Sequence, residues 1–220
     1  MTIKEAMEVR HTVRRYTDRP LSRETVSRLE ERIAENNARY GLGMRLVTEN
    51  TAAFQAALKL VLAKGVRNYI VLAGSAGEDE RLGYCGCDVM LYAQTLGLNT
   101  WWVGGTYSRR GVRRGAGLAE DQRLAGIIAV GYGAAQGVPH RSKRPEDISS
   151  YCGGAPDWFT RGVEAVLLAP TALNKQAFQI TGQGDTVKMT CDNGIFSGID
   201  LGIGKYHFEE GAGRENFRWA

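Results

Sequence analysis

The chain has few of the residues that build metal sites. Its 220 residues include three histidines and four cysteines, and no two cysteines have C-x-x-C spacing. Zinc and iron–sulfur centres are therefore poorly supported, because both need such ligands in clusters. The cysteines, which are Cys85, Cys87, Cys152 and Cys191, are interpreted as buried or unreactive thiols and not as a disulfide framework. We predict no metal site.

Long apolar runs are also missing. No run of eighteen apolar residues occurs, and the chain does not start with the apolar stretch typical of a signal peptide. These two absences predict a cytoplasmic protein without a membrane-spanning segment.

Several catalytic motifs are absent as well. The chain has no G-x-x-x-x-G-K-[ST] and no strand-linked G-x-G-x-x-G, which argues against a P-loop or a dinucleotide-binding Rossmann domain. No serine or cysteine lies in an elbow motif, so a Ser/His/Asp or Cys/His arrangement cannot be assembled. If the chain is an enzyme, these absences favour chemistry carried by a cofactor.

What the composition contains is ordinary for a globular protein, with 43% hydrophobic and 24% charged residues. The length fits one domain or two small ones, and we predict a single domain over residues 1–220. A net charge of +4 suits an anionic cofactor or substrate, but it is too small to indicate nucleic acid.

Hydrophobic periodicity predicts alternating helices and short strands. Helices are predicted at residues 22–37, where Ser22 can act as the N-cap, and at about 51–64, 80–96 and 157–168. Strands are predicted at 44–48, 68–73, 99–103 and 127–131, with a hairpin formed by 178–182 and 186–191. The 80–96 helix is apolar on nearly every side, which places it in a core or in a subunit interface.

A basic segment, Arg10-His11-Thr12-Val13-Arg14-Arg15-Tyr16, follows the first apolar residues. If a helix continues through it, Arg10 and Arg14 share one face because they are four residues apart. Guanidinium groups donate bidentate, charge-assisted hydrogen bonds to phosphate, so the segment could bind a phosphate dianion. A solvated basic helix end explains the spacing equally well.

These residues also carry a family resemblance. The stretch from Arg10 to Leu21 resembles the N-terminal R-[RH]-[ST]-x-R-x-[FY]-x-x-x-P-[VLI] motif of flavin-dependent nitroreductases. Leu96-Gly97-Leu98 with the Trp101–Gly105 stretch is similar to that family's L-G-L-x-x-x-W-[VI]-G segment, whose glycine loop passes over the flavin ring. The strand ending in Val130-Gly131-Tyr132 and the basic pair Lys143-Arg144 resemble a further family segment.

The most specific match is Ala169-Pro170-Thr171-Ala172-Leu173-Asn174-Lys175-Gln176-Ala177-Phe178, which resembles A-P-[ST]-A-x-N-x-Q-[PA]-[WF]. Its polar side chains can satisfy the donors and acceptors of a flavin pyrimidine edge. Most family members place this motif in the first third of the chain. Its late position, and a D-x-G-like helix start at 200–207, resemble a rearranged branch of the family.

The resemblance implies an α+β fold with a central, mainly antiparallel sheet flanked by helices in three α/β/α layers. It implies bound FMN, with NADH or NADPH as electron donor and a small acceptor such as a nitroaromatic or quinone. A flavin-binding carrier or sensor without turnover is the alternative. No side chain is assigned to catalysis, and the expected FMN-binding residues are Arg10, His11, Thr12, Arg14, Gly104, Gly105, Lys143, Arg144, Pro170, Thr171, Ala172, Asn174 and Gln176.

Two further hypotheses concern partners. The family resemblance and the apolar 80–96 helix favour a homodimer, although the rearranged order also allows the C-terminal third to complete the site within one chain. The Arg109-Arg110-Gly111-Val112-Arg113-Arg114 cluster could in principle bind RNA or another polyanion. It lacks the interleaved aromatic residues of single-strand binders, so a solvated loop is the favoured interpretation and no nucleic-acid partner is predicted.

Overall fold

The structure is a computed structural model that describes residues 1–54 and 63–220. Its helices in these ranges are α1 Ile3–Val9, α2 Arg23–Tyr40, α3 Asp79–Thr95, α4 Arg109–Ala116, α5 Pro145–Ile148, α6 Asp157–Val166 and α7 Ser197–Ala212. Its strands are β1 Arg45–Val47, β2 Asn68–Gly74, β3 Asn99–Val103, β4 Arg123–Gly131, β5 Ser149–Tyr151, β6 Phe178–Gln183, β7 Thr186–Cys191 and β8 Arg218–Trp219. The helix predicted at 51–64 lies for the most part outside the described residues.

The chain divides into two compact units. The N-terminal unit comprises Arg10–Glu78 and Asp88–Pro139, and the C-terminal unit comprises Met1–Val9, Asp79–Cys87 and His140–Ala220. Helix α3 contributes its first half to one unit and its second half to the other. No described helix is long and apolar enough to cross a membrane.

The N-terminal unit is built on an antiparallel sheet with the strand order β1-β2-β4-β3. Every residue of β2 is buried, and in β4 only Arg123 is not, as expected for apolar runs in the centre of a sheet. The preceding helix α2 begins as predicted, because the Ser22 hydroxyl accepts a hydrogen bond from the Thr25 N–H at 3.0 Å. It ends at Gly41, which adopts the left-handed φ of 68°.

The C-terminal unit contains a second sheet, ordered β5-β6-β7-β8. Strands β6 and β7 form the predicted hairpin. Along both strands, buried side chains alternate with exposed or half-buried ones. Helices α6 and α7 meet through Phe159 and Phe208, whose ring centroids are 5.8 Å apart. Phe217 and Trp219 close over Phe208 from the C-terminal segment.

The α+β class with mainly antiparallel pairing is therefore confirmed, and the strands form two four-stranded sheets. The predicted strand at 99–103 agrees with β3 in both bounds, and the strand predicted at 127–131 begins four residues earlier than expected, at Arg123. The pattern missed that extension because Arg123 and Gly126 interrupt the apolar run.

The apolar helix predicted at 80–96 is α3. Its apolar residues Leu82, Cys85, Val89, Met90 and Ala93 are all 0% exposed in the single chain. A second subunit is therefore not needed to cover this helix. Because the chain itself encloses these residues, the composition of the helix gives no argument for or against a dimer. The homodimer stays a prediction that rests on the family resemblance alone.

A buried carboxylate ties α3 to α2 within the N-terminal unit. Asp88, whose side chain is 5% exposed, accepts hydrogen bonds from Arg32 Nε at 2.7 Å and Arg32 Nη2 at 2.6 Å. It also accepts one from Asn36 Nδ2 at 2.7 Å. This bidentate geometry makes Asp88 the anchor of the contact between the two helices.

We expect Asp88→Ala to lower the free energy of unfolding by about 2–3 kcal/mol, because Arg32 and Asn36 would lose a shared charged acceptor. Glu35→Ala is the matched control. Glu35 also contacts Arg32, but its side chain is 60% exposed, so its removal should change stability by less than about 1 kcal/mol. Urea unfolding measures both, and equal effects of the two substitutions would contradict the anchoring role.

Candidate functional site

The basic segment that begins at Arg10 is extended and not helical. Helix α1 ends at Val9, and the Val13 N–H donates to the Thr100 carbonyl at 3.0 Å. The Tyr16 N–H then donates to Lys64 O at 2.9 Å. The hypothesis that Arg10 and Arg14 share a helix face was wrong, because their backbone pairs with neighbouring segments instead.

The two arginines consequently lie in different environments. Arg10 is 4% exposed, whereas Arg14 is exposed and its guanidinium carbon lies 5.4 Å from the centroid of the Trp101 ring. Among residues 1–54 and 63–220, no carboxylate forms an ion pair with Arg14. Its donors can therefore reach an anion from solvent while the planar group rests on the indole face.

His11 and Thr12 lie half-buried beside a loop that requires glycine. A Cβ on Gly137 would lie 2.5 Å from the Thr12 carbonyl oxygen and 2.7 Å from His11 Cβ, so only glycine allows this approach. Asn99 supports the same loop by accepting from Gly133 N–H and donating to Gln136 Oε1. The backbone around His11 and Thr12 is thus held on more than one side.

Gly104 and Gly105 follow β3 directly, and Gly105 faces open space. A Cβ placed on Gly105 would meet no atom of the described residues within 4 Å, and its backbone is not left-handed. Neither crowding by the described residues nor backbone conformation explains a glycine there. A surface without a side chain at this point lets a flat ligand approach the backbone closely.

The late motif forms a strained loop in the C-terminal unit. Within Thr171–Gln176, here called the motif loop, Leu173 and Asn174 have φ 54° and Gln176 has φ 44°. Three left-handed residues other than glycine in four positions are unusual, and such conformations persist only where surrounding contacts hold them.

Gln176 supplies several of these contacts. It is 1% exposed, and its side-chain oxygen accepts from Lys143 N at 2.8 Å while its amide nitrogen donates to Leu167 O at 2.9 Å. Its own N–H donates to Thr171 Oγ1 at 3.0 Å. His140 Nε2 lies 3.1 Å from the Gln176 amide nitrogen. These contacts hold Gln176 within the protein, and its expected role at a flavin edge stays a prediction.

The remaining expected residues of this unit have partners of their own. Asn174 Nδ2 donates to Arg141 O at 2.8 Å, and Asn174 is exposed. Lys143 Nζ donates to Gln176 O at 2.9 Å. Arg144 pairs with Glu146 at 3.3 Å and with Asp147 at 2.9 Å, and its pKa is raised chiefly by the hydrogen bond to Asp147.

Asp200 contacts the motif loop and was not among the expected site residues. The Ala172 N–H lies 3.1 Å from each of its carboxylate oxygens, and the residue is only 7% exposed. Burial raises the pKa of this carboxyl to about 6, with the Ala172 N–H opposing the rise and the nearby Asp192 charge adding to it. Its place in the D-x-G-like helix start was the available signal.

The expected site residues therefore fall into two sets. Arg10, His11, Thr12, Arg14, Gly104 and Gly105 belong to the N-terminal unit, and Lys143, Arg144, Pro170, Thr171, Ala172, Asn174 and Gln176 belong to the C-terminal unit. Within the second set the structure brings Lys143, Thr171 and Gln176 into direct contact. No group of three His, Cys, Asp or Glu residues in the described ranges could hold a metal ion.

The arginine cluster of α4 is largely used by the fold. Arg109 donates to Leu124 O at 2.7 Å, and Arg113 donates to Gln122 O at 2.9 Å and Ala119 O at 2.6 Å. Arg110 and Arg114 remain exposed. Two of the four arginines of the cluster thus bind backbone carbonyl groups of the same unit.

Comparison with known proteins assigns the family. A family model described as "Putative TM nitroreductase" matches residues 2–212. The chain belongs to this nitroreductase family. No protein of curated function matches its sequence.

Solved structures share the nitroreductase fold. A putative nitroreductase from Thermotoga maritima has a TM-score of 0.64 and 21% identity, over 96% of this chain and 85% of that one. A putative NADH dehydrogenase/NAD(P)H nitroreductase from Parabacteroides distasonis has a TM-score of 0.52 and 22% identity, over 66% and 95% of the two chains. A putative nitroreductase from Desulfovibrio desulfuricans, solved in complex with FMN, has a TM-score of 0.52 and 19% identity, over 67% and 95%.

The raised pKa of Asp200 gives the protein a defined pH dependence of stability. The pKa of Asp200 is about 6 in the folded protein and 3.8 in the unfolded chain, so the folded state binds the proton more tightly. The resulting contribution to the free energy of unfolding is complete at low pH and is lost as the pH rises through about 6. We expect the unfolding free energy of the wild type to fall relative to Asp200→Asn between about pH 4 and pH 7, and the difference to stay constant above that range. Urea unfolding across this range measures the difference, and a constant difference would refute the assignment.

Proposed function

We propose that this chain is an FMN-dependent oxidoreductase that passes electrons from NADH or NADPH through bound flavin to a small acceptor such as a nitroaromatic or quinone. The observation that carries the proposal is the family match over residues 2–212. The FMN held by the Desulfovibrio desulfuricans structure supports the choice of cofactor. The nicotinamide donor follows from the family resemblance.

The residues of the N-terminal unit fit the phosphate and ribityl parts of FMN. Arg14 offers an exposed guanidinium that is free of carboxylate partners in the described chain, and its stacking on Trp101 limits its motion. Arg10, His11 and Thr12 would complete this set, with hydrogen-bond donors on an extended backbone. Gly104 and Gly105 suit the flavin ring, because open space lies where a Cβ of Gly105 would project.

In the C-terminal unit, the basic pair Lys143 and Arg144 would assist with the phosphate after exchanging partners. The Arg144 side chain is 72% exposed, and the carboxylates that it contacts are 39% and 63% exposed. Exposed ion pairs contribute about 0–1 kcal/mol each, so a phosphate dianion could replace them at little cost. To bind the phosphate, the Lys143 ammonium group would have to give up one hydrogen bond, to the Gln176 carbonyl oxygen.

The motif loop and the preceding Pro170 are proposed to line the flavin ring edge, through Pro170, Thr171, Ala172 and Asn174. Asn174 is exposed, and its side-chain oxygen can accept a hydrogen bond while its nitrogen is held by Arg141. Gln176 contributes by position, since it joins the loop to Lys143 and Leu167.

When bound, FMN supplies the hydride acceptance and electron transfer of the reaction. The chain's own residues bind and orient it, and no side chain is assigned to the chemical step. The alternative, a flavin carrier or sensor without turnover, would use the same binding residues. Turnover separates the two proposals.

We expect the purified protein to bind FMN and to oxidise NADH or NADPH when a nitroaromatic or quinone is supplied. Absorbance with chromatography of the released flavin identifies the cofactor, and steady-state loss of nicotinamide absorbance measures turnover. Flavin binding without turnover would select the carrier, and failure to bind FMN would reject both.

Arg14→Ala should weaken FMN affinity by roughly ten- to hundredfold, because one charge-assisted partner of the phosphate is lost. Arg110→Ala is the matched control, since Arg110 is also an exposed arginine of the N-terminal unit. Titration of the apo-proteins by quenching of flavin fluorescence measures both variants. Equal affinities for wild type and Arg14→Ala would remove Arg14 from the phosphate site.

We also propose that the protein is a homodimer, on the family resemblance alone. Light scattering of the FMN-loaded protein tests this, and a mass near the 24.1 kDa of one chain would reject it.

A further inference from the structure

The contact between Asp200 and the motif loop joins two parts of the C-terminal unit that are far apart in sequence. Ala172 is the second residue of the loop, and Asp200 lies in the first turn of α7. Both carboxylate oxygens lie 3.1 Å from the Ala172 nitrogen. The contact fixes the loop at the residue that precedes its left-handed part.

The strained backbone of the loop needs such contacts. Leu173, Asn174 and Gln176 all have positive φ, which L-residues with side chains avoid. The C-terminal side of the loop is held by Gln176 through Thr171 and Lys143. On the N-terminal side, Asp200 holds the Ala172 N–H. Without this acceptor, the loop would lose the hydrogen bond that joins the start of its left-handed part to α7.

A carboxylate is not what stability alone would favour at this position. An asparagine oxygen could accept the same N–H without a buried charge, and the ionised form of Asp200 is disfavoured by its burial. An ionised acceptor, however, forms a stronger hydrogen bond than a neutral one. Compared with asparagine, the aspartate lowers the stability of the fold but forms a stronger hydrogen bond to Ala172. A loss of stability of this kind is typical of residues that are kept for function.

We propose that Asp200 is a positioning residue for flavin binding, whose carboxylate holds Ala172 and thereby keeps the motif loop in the shape that FMN requires. This inference rests on the proposed FMN function and deepens it. Asp200 acts through the loop backbone and does not itself contact the reacting atoms.

Several charged or titratable groups surround Asp200. Lys175 of the motif loop favours its ionised form, and Asp192, which pairs with Lys175 at 3.6 Å, disfavours it. Cys191 lies at the end of β7, and its pKa is raised chiefly by burial, with the charge of Asp200 adding to the rise. On α3, the Asp79 Cβ approaches Gly198 in the same first turn of α7. Asp200 is the group of this set whose pKa of about 6 lies near neutrality.

The first arm of the test needs no flavin. In apo-protein labelled with ¹⁵N, the Ala172 amide resonance should shift as the pH falls through about 6, and this titration should be absent in Asp200→Asn. Hydrogen exchange of the Ala172 amide should quicken about ten- to hundredfold in Asp200→Ala, as for loss of a charge-assisted hydrogen bond. Asp157→Asn is the matched control, because Asp157 is an exposed aspartate in the first turn of α6; it should leave the titration unchanged.

The second arm measures FMN affinity by fluorescence quenching. At about pH 7.5, we expect Asp200→Ala to bind FMN roughly tenfold more weakly than wild type, with Asp200→Asn between them and Asp157→Asn equal to wild type. At about pH 5, the wild type and Asp200→Asn should converge. The FMN phosphate also titrates with a pKa of about 6, but it does so equally for every variant, so the ratio of affinities isolates Asp200.

The outcomes are distinguishable. An affinity ratio of one between wild type and Asp200→Asn at both pH values, or an Ala172 amide that does not titrate, would overturn the positioning role. If Asp200→Ala does not fold, the Asp200→Asn ratio decides alone. If the wild type binds no FMN at all, the proposed function fails and with it the link to flavin, while the Ala172 titration still reports whether Asp200 holds the loop.

Discussion

A left-handed backbone at three side-chain-bearing positions is the constraint on which the C-terminal half of the candidate site depends. Leu173, Asn174 and Gln176 can hold this conformation only because hydrogen bonds fasten the loop at both ends. The buried side chain of Gln176 forms hydrogen bonds with Lys143 N and Leu167 O. Asp200 accepts a hydrogen bond from the Ala172 N–H. The polar residues of the motif thus divide into those that build the loop and those, such as Asn174, that it displays.

The basic segment of the N-terminal unit is organised by a different rule. Its backbone N–H and C=O groups pair with β3 and with the segment at Lys64, so the chain is extended where the spacing of Arg10 and Arg14 suggested a helix. Because the backbone is extended here, Arg10 is buried and Arg14 is exposed. Of these two arginines, the exposed Arg14, whose guanidinium lies over Trp101, can accept an anion from solvent. The basic residues Lys143 and Arg144 already have partners within the protein.

Much of the architecture could be predicted from the sequence because it depends on local patterns. Apolar runs bounded by glycine gave the strands β2 and β3, the Ser22 cap marked the start of α2, and alternation marked the β6–β7 hairpin. The family assignment was equally accessible, since the Ala169–Phe178 motif and the Arg10–Leu21 motif are strings of residue types that do not depend on where they lie in the fold.

Contacts between residues distant in sequence were decided by tertiary structure alone. Periodicity identified α3 as enclosed, but whether its cover was a second subunit or the same chain depended on how the whole chain packs. The sequence also shows that Gln176 is polar, but it does not show that the side-chain amide bonds to Lys143 and Leu167. Such hydrogen-bond partners are determined only when the chain folds. Asp200 makes the same point most clearly. It lies twenty-eight positions after Ala172, and neither its burial nor its hold on the motif loop can be read from a local pattern.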